Sequence, residues 1–329
     1  MKLSQLSRPI EMINLKSELN DNINNLQIKY CIIIASYNPN KEILFDTLKI
    51  LSKYDKLRTY IVDSSSDETT NELLIFIQKL NESYKNQNLF LLHINTNLGV
   101  GHNYNVGIEK CLNDGCDLIT LFTDDVTINE NKFQPDKIIK FFYENCNIKT
   151  DLLSLLYNKK LLILYNKNWL NKYGVVDTGM TFSKDLVKKL RFREDFLMDQ
   201  QDLYFCNQVI KNGGRILIYP ELTISVLPIG REITTGIPHL PLWRLYLLGR
   251  NSLTIALEEK KIFRFYLFFK QIFYWSFKSL RSGQKILKIT EAIFLGIQDA
   301  IRKKLGITEN LQKLSGNRFY YDENNGNKR

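Results

Sequence analysis

The sequence predicts an α/β protein: a doubly wound mixed sheet flanked by helices, with a basic, aromatic helical appendage at the C-terminus. Three observations predict it. Between Tyr30 and Val126, short apolar runs alternate with segments of helical period, the pattern of strands joined by crossover helices. Each apolar run ends in polar residues, as strands do where their carboxyl ends open on a ligand crevice. From Arg244 to Lys304 there are 13 Lys and Arg against four acids, a balance of +9 that holds nearly all of the chain's net +10.

The elements follow in order. Residues 1–27 form a polar extension with no chemistry to name. Cys31-Ile32-Ile33-Ile34-Ala35 reads as a strand buried on both faces, stopped by Asn38-Pro39. Ile43, Leu44, Leu48 and Leu51 recur at helical spacing over 42–51. A strand over 59–62 runs into Asp63-Ser64-Ser65-Ser66-Asp67, and a helix follows over 71–80. A third strand over 89–94 runs into Asn97-Leu98-Gly99-Val100-Gly101, before a helix over 103–112. The fourth strand lies in 117–126 and ends on Asp124 and Asp125, adjacent carboxylates of the kind that hold a divalent cation and, through it, a phosphate. Residues 177–182 read as a strand. Residues 196–210 carry a helix that sets Asp199 and Asp202 at i and i+3, on one face of its first turn. Asn212-Gly213-Gly214 stops that helix, and 215–219 is a further strand.

The strand ends offer Ser36, Tyr37 and Asn38, then Asp63 and Ser64, then Asn97 and Gly99, then Asp124 and Asp125. These groups suit a base, a ribose and a diphosphate. Turn and capping chemistry accounts for any one of them alone; four strand ends together weaken that account. Asn97–Gly101 has a G-x-G but no third glycine in place and no following P-loop lysine, which excludes a dinucleotide-binding dehydrogenase and a P-loop NTPase. The five cysteines form no CxxC pair, and with three histidines they argue against zinc. The first ten residues lack an apolar segment, so no signal peptide is expected, and reduced thiols in a cytoplasmic protein are the simplest reading.

Together these motifs resemble the family 2 glycosyltransferases of GT-A fold, and among them the bacterial rhamnosyltransferase-like branch. Ile34–Pro39 is similar to that branch's V-T-Y-N-P strand, and Asp63–Asp67 to its D-N-S-S-x-D. Asn97–Gly101 with Asn105-Val106-Gly107 resembles N-x-G-I-A…N-x-G. Phe122–Val126 falls at the D-x-D, and Leu197–Asp202 resembles F-I-D-x-x-D. Arg244–Asn251 is similar to R-x-Y-Y-x-x-R-N, and Leu295–Ala300 to G-x-x-D-G. The resemblance spans about residues 30 to 306 and rests on the order of seven motifs.

The resemblance implies inverting transfer of a sugar, rhamnose from dTDP-rhamnose first, to a hydroxyl of a cell-surface or lipid-linked glycan. A UDP-hexose or galactofuranose transferase is the near alternative, and a catalytically degenerate glycan-binding protein the distant one. It assigns Ser36, Tyr37, Asn38, Asp63, Ser64, Asn97, Gly99, Asp124 and Asp125 to the donor nucleotide and Asp125 to Mg²⁺ or Mn²⁺. It makes Asp199 the base, with Asp202 its rival, and sets Thr178, Gly179, Arg244, Tyr246, Arg250 and Asn251 on the acceptor side. Thr123 stands where the D-x-D has its first acid, and Leu227 where the branch has a histidine, so the cation has fewer usual ligands; His239 or Arg231 are substitutes toward the diphosphate. A sugar-phosphate nucleotidyltransferase needs a glycine-rich basic loop after the first strand, and Asn38-Pro39-Asn40-Lys41 is not one.

The expected division is an extension over 1–27, a GT-A domain over 28–242, a helical region over 243–306 and a tail over 307–329. Residues 262–277 are aromatic, interrupted by Arg264 and Lys270, and flanked by Lys260, Lys261, Lys278, Arg281, Lys285 and Lys288. That pattern is too short and charged to span a bilayer and suits a helix lying on an anionic membrane, here at the inner face of the cell membrane. A core helix or a homo-oligomer contact is the alternative. No nucleic-acid module is recognisable.

Overall fold

The computed structural model describes residues 28–156, 173–226, 232–234 and 237–316. The N-terminal extension, Leu227, Arg231 and the end of the tail lie outside them. The core is a seven-stranded sheet of order β3-β2-β1-β4-β7-β6-β8. Its strands are β1 (Tyr30–Ser36), β2 (Arg58–Asp63), β3 (Leu89–His93), β4 (Leu118–Thr123), β6 (Leu152–Ser154), β7 (Met180–Ser183) and β8 (Ile216–Ile218). β1, β2, β3 and β4 are parallel, as are β6 and β8, whereas β7 runs antiparallel to β4 and β6. The sheet is therefore mixed, as expected.

Every residue of β1 is buried because helices cover both faces. Ile33 and Ala35 join Tyr104 and Ile108 of helix α3 (Val100–Asn113) on one side. Ile32 and Ile34 join Leu44 and Leu48 of α1 (Lys41–Leu51), and Leu73 and Ile77 of α2 (Asp67–Ser83), on the other. The chain builds outward from β1 to β2 and β3, then returns to the far side of β1 with β4. That reversal opens a crevice at the carboxyl ends of β1 and β4.

Some expectations shift. The fourth strand stops at Thr123, and Asp124 and Asp125 occupy the turn into β5 (Val126–Ile128), which pairs with β9 (Ile224–Val226). Helix α4 (Pro135–Asn145) and strand β6 carried no clear sequence signal. The cysteines are not all reduced: Cys31 of β1 and Cys116, just before β4, form a disulfide across 85 residues, with Cα atoms 6.1 Å apart. Pairing β1 beside β4 brings them together, which no local spacing foretells.

The appendage consists of α6 (Leu242–Glu259), α7 (Ile262–Arg281), α8 (Ile286–Ile301) and α9 (Glu309–Ser315). Residues 307–316 are not a loose tail: Leu311 is fully buried, and the Thr308 hydroxyl pairs with Tyr246 at 2.7 Å. α6 and α8 approach closely at Gly296, where an added Cβ would lie 2.3 Å from the Tyr246 carbonyl oxygen. Gly296→Ala should therefore force the two helices apart and lower unfolding free energy by about 1–3 kcal/mol, measured by urea denaturation; an unchanged midpoint would contradict this packing.

Candidate active site

The crevice is a cavity of about 650 Å³, within the size range of small-molecule sites. It is lined by the end of β1 (Ser36, Tyr37, Asn38), by Ser64, Asn97 and Gly99, by the β4 turn (Asp124, Asp125), and by residues 198–202. Most of the residues expected to bind donor do meet here.

Asp63 is the exception. It is fully buried, accepting from the Ser36 hydroxyl at 2.7 Å, the Ser65 hydroxyl at 2.8 Å and the Thr70 hydroxyl at 2.7 Å. A carboxylate buried this way ties the ends of β1 and β2 to α2, and it does not line the described cavity. Asn103, which the sequence reading passed over, lines the cavity and donates to Ser64 Oγ at 3.2 Å and to the Val62 carbonyl at 3.3 Å. Asn97 accepts from the Gly99 N–H at 3.1 Å.

On the other wall, Asp124 accepts from the Tyr37 N–H at 3.0 Å, so the two strand ends are joined across the switch point. Burial pushes the Asp124 carboxyl up to about 7, opposed by that N–H and reinforced by the charges of Asp125 and Asp63. Thr123 donates to Asp125 and pairs with Thr178 Oγ1 at 2.6 Å. The residue that replaces the motif's first acid thus orients the acid that remains. Thr178 and Gly179, expected on the acceptor side, are buried and do not line the described cavity.

Their neighbour Asp177 does face the cavity, and the sequence reading missed it. It accepts from Gln201 Nε2 at 3.0 Å and from the Thr178 N–H at 2.9 Å, and burial raises its pKa despite both. No motif marks this acid; the sheet's reversal at β7 delivers it. Trp243, Gln200 and Gln201 also line the cavity without a sequence signal of function.

Asp199 and Asp202 do not share a helix turn. The helix, α5, begins at Gln201 and runs to Lys211, and Asp199 lies ahead of it with φ of 60°. Leu197 and Gln200 are also left-handed, with φ of 62° and 73°. Such a run is strained, at about 1–3 kcal/mol per residue, and two contacts hold it. Gly99 lets the backbone approach: the Val100 N–H donates to the Leu197 carbonyl at 2.8 Å, and a Cβ on Gly99 would lie 2.3 Å from that oxygen. From below, Asn251 Nδ2 reaches the carbonyls of Phe196, Met198 and Asp199 at 2.9, 2.9 and 3.0 Å. Arg250, also fully buried, donates to the carbonyls of Gly306 at 2.6 Å and Asp195 at 3.2 Å. Tyr246 donates to Asp299 at 2.6 Å. These three residues, expected on the acceptor side, are supports of the loop and of the helix bundle.

Arg244 lies on the cavity wall and forms a two-pronged ion pair with Asp199: Nε to Oδ2 at 3.0 Å and Nη2 to Oδ1 at 2.5 Å. Asp202 accepts from the Leu203 N–H at 2.7 Å, and burial, then the nearby Asp177, pushes its carboxyl up to about 7. His239 is buried and is not part of the described cavity wall.

Residues 31–148 match the family model described as glycosyl transferase family 2. A mannosyltransferase from Pyrobaculum calidifontis, solved in complex with GDP-Man and Mn²⁺, superposes with a TM-score of 0.53 at 14% identity, covering 93% of this chain and 86% of its own. The protein is a glycosyltransferase of GT-A fold. A galactosyltransferase in complex with donor and acceptor sugar analogues matches at a TM-score of 0.34 and 13% identity, over 57% of this chain and 72% of that one. No curated protein matches the sequence. In this glycosyltransferase the matched segment carries both ends of the switch point, whereas the loop at 197–200 and its Asn251 support lie outside it.

Asn251→Ala would strip carbonyl partners from the strained loop. The expected loss is about 1–3 kcal/mol, read as a lower urea midpoint. A variant as stable as the parent would show that the loop holds itself.

Proposed function

We propose that the cavity binds a nucleoside-diphosphate sugar together with a divalent cation, and that the sugar passes with inversion to a hydroxyl of a cell-surface or lipid-linked glycan at the inner face of the cell membrane. One observation carries the reading: at the switch point of a GT-A sheet, Asp124, Asp125, Asp177, Asp199 and Asp202 share the cavity wall with one cation among the described residues, Arg244, which Asp199 already engages. A dianionic diphosphate does not enter such a wall unaccompanied. The oxygen-only donor set fits Mg²⁺ or Mn²⁺, with Asp125 as the expected ligand and Asp124 and Asp177 beside it. What the cation supplies when bound is charge neutralisation of the departing diphosphate.

The chain's own groups do the rest. Asp202 takes the proton from the acceptor hydroxyl; the acceptor's oxygen forms the new bond to the anomeric carbon as the bond from that carbon to the diphosphate breaks, and the diphosphate leaves with the electron pair. Asp202 is favoured over Asp199 because Arg244 holds Asp199 as an ion pair, whereas a carboxyl near 7 is matched to proton abstraction at neutral pH. Arg244 and Asp199 position the entrance to that acid. Rhamnose from dTDP-rhamnose is the first donor to test, with UDP-hexose and galactofuranose next.

Thermal unfolding with dTDP, UDP and GDP, with and without Mn²⁺ or Mg²⁺, tests the reading. A rise in midpoint with one nucleotide, requiring the cation, is expected; no rise with any of them would remove the proposal. Asp202→Asn should keep that shift and abolish transfer, whereas Asp199→Asn should retain measurable turnover.

Transfer should rise with pH through about 7 as Asp202 ionises. Stability should move the other way. The folded chain holds this proton to about 7, and an unfolded Asp releases it near about 4. The contribution is therefore complete below about 4 and is lost as pH rises through 7. Midpoints of parent and Asp202→Asn, measured from pH 4 to 8, should converge differently at the two ends; parallel curves would contradict the assignment.

A further inference from the structure

Helix α7 carries its aromatic residues on two faces. Leu267 and Phe268 turn inward, whereas Ile262, Tyr266, Phe269, Phe273, Phe277 and Leu280 form one exposed row at spacings of three and four. Phe269 is 65% and Phe273 74% exposed. Beyond the aromatic run at 262–277, α8 continues the surface. Its Ile286, Leu287, Phe294 and Ile301 are exposed too, Leu287 at 79%, while Ile289, Ala292 and Ile293 pack inward. Two adjacent helices thus present large apolar side chains to solvent, which a soluble surface of this extent rarely does.

The charge around the patch is predominantly positive. Lys270, Arg281, Lys285 and Lys288 are exposed, and Glu291 is the one exposed acid on the two helices. The cations also sit on the rings: Lys278 lies 5.1 Å from the Tyr274 ring and Arg281 5.8 Å from the Phe277 ring. No helix among the described residues is long and apolar enough to cross a membrane.

We infer that the outer face of α7 and α8 is a docking surface for an anionic lipid bilayer, with both helices lying in the headgroup plane. The chemistry selects this occupant. Exposed Ile262, Leu280, Leu287 and Ile301 offer nothing to a phosphate or a base, and two copies meeting through this face would set like cations against each other. An anionic interface takes apolar chains and cations together. The end of α7 and the turn after it also touch the chain that enters the cavity wall: the buried Ser279 and the part-buried Gln284 donate to the Leu240 carbonyl at 3.5 and 3.2 Å, and the next residue, Pro241, lines the cavity. The inference deepens the reading of a lipid-linked acceptor, because docking there holds the cavity within a turn of chain of the membrane.

The test is co-sedimentation of the full chain with vesicles of phosphatidylcholine containing phosphatidylglycerol, against phosphatidylcholine alone. Binding to the anionic vesicles, weakened by salt, is expected. Phe269→Glu with Phe273→Glu should reduce it at least about tenfold, and Lys285→Gln with Lys288→Gln about fivefold per lysine. Failure of the parent to bind, equal binding by the phenylalanine variant, or a solution dimer that this variant splits would each overturn the inference. The nucleotide-dependent thermal shift of the same variants separates the two readings: it should persist in both, so loss of docking with the shift intact leaves the sugar-transfer reading standing, and absence of the shift in a docking-competent parent removes only that reading.

Discussion

Arg250 and Asn251 are buried side by side in α6, and both spend their donors on backbone carbonyls of other elements. Everything distinctive about the site depends on that arrangement. Backbone oxygens left unpaired in a dry interior are costly, and the loop at 195–199 turns several of them inward because its left-handed residues prevent ordinary helical or sheet pairing. The two side chains meet that demand from below while Gly99 admits the loop from above. The appendage is thus a structural part of the cavity wall rather than an addition to it.

The same helix links chemistry to the surface. Its first turn brings Arg244 to Asp199, its middle holds the loop, and its other face packs on α8 through Gly249 and Gly296. One rigid element therefore relates the acid-lined cavity to the exposed apolar face of α7 and α8. Burial pushes Asp124 and Asp202 both up to about 7, which lowers the mutual repulsion among the five carboxylates of the cavity.

Much of the fold was legible because β1 to β4 obey simple periodicities. Runs buried on both faces, such as Cys31–Ala35, have no polar residue to confuse with a turn, and Asn38-Pro39 marks the end. The cavity was legible where a strand end opens on it, as at Ser36, Asn97 and Asp125. It is less legible where a polar residue at a motif position is tied into the scaffold. Asp63, Tyr246, Arg250 and Asn251 occupy motif positions, but their partners are other parts of this chain.

The sequence by itself determined the alternation of strands and helices, the acids at the fourth strand end and the basic, aromatic character of the C-terminal helices, since each is set by neighbours within a few residues. Only the tertiary structure decided which acids face one cavity, that Asp199 is paired while Asp202 is not held by Arg244, that Asp177 joins them, and that Cys31 meets Cys116. Those outcomes depend on contacts between residues tens of positions apart, on burial that raises a carboxyl's pKa, and on a strained loop whose geometry exists only while α6 supports it.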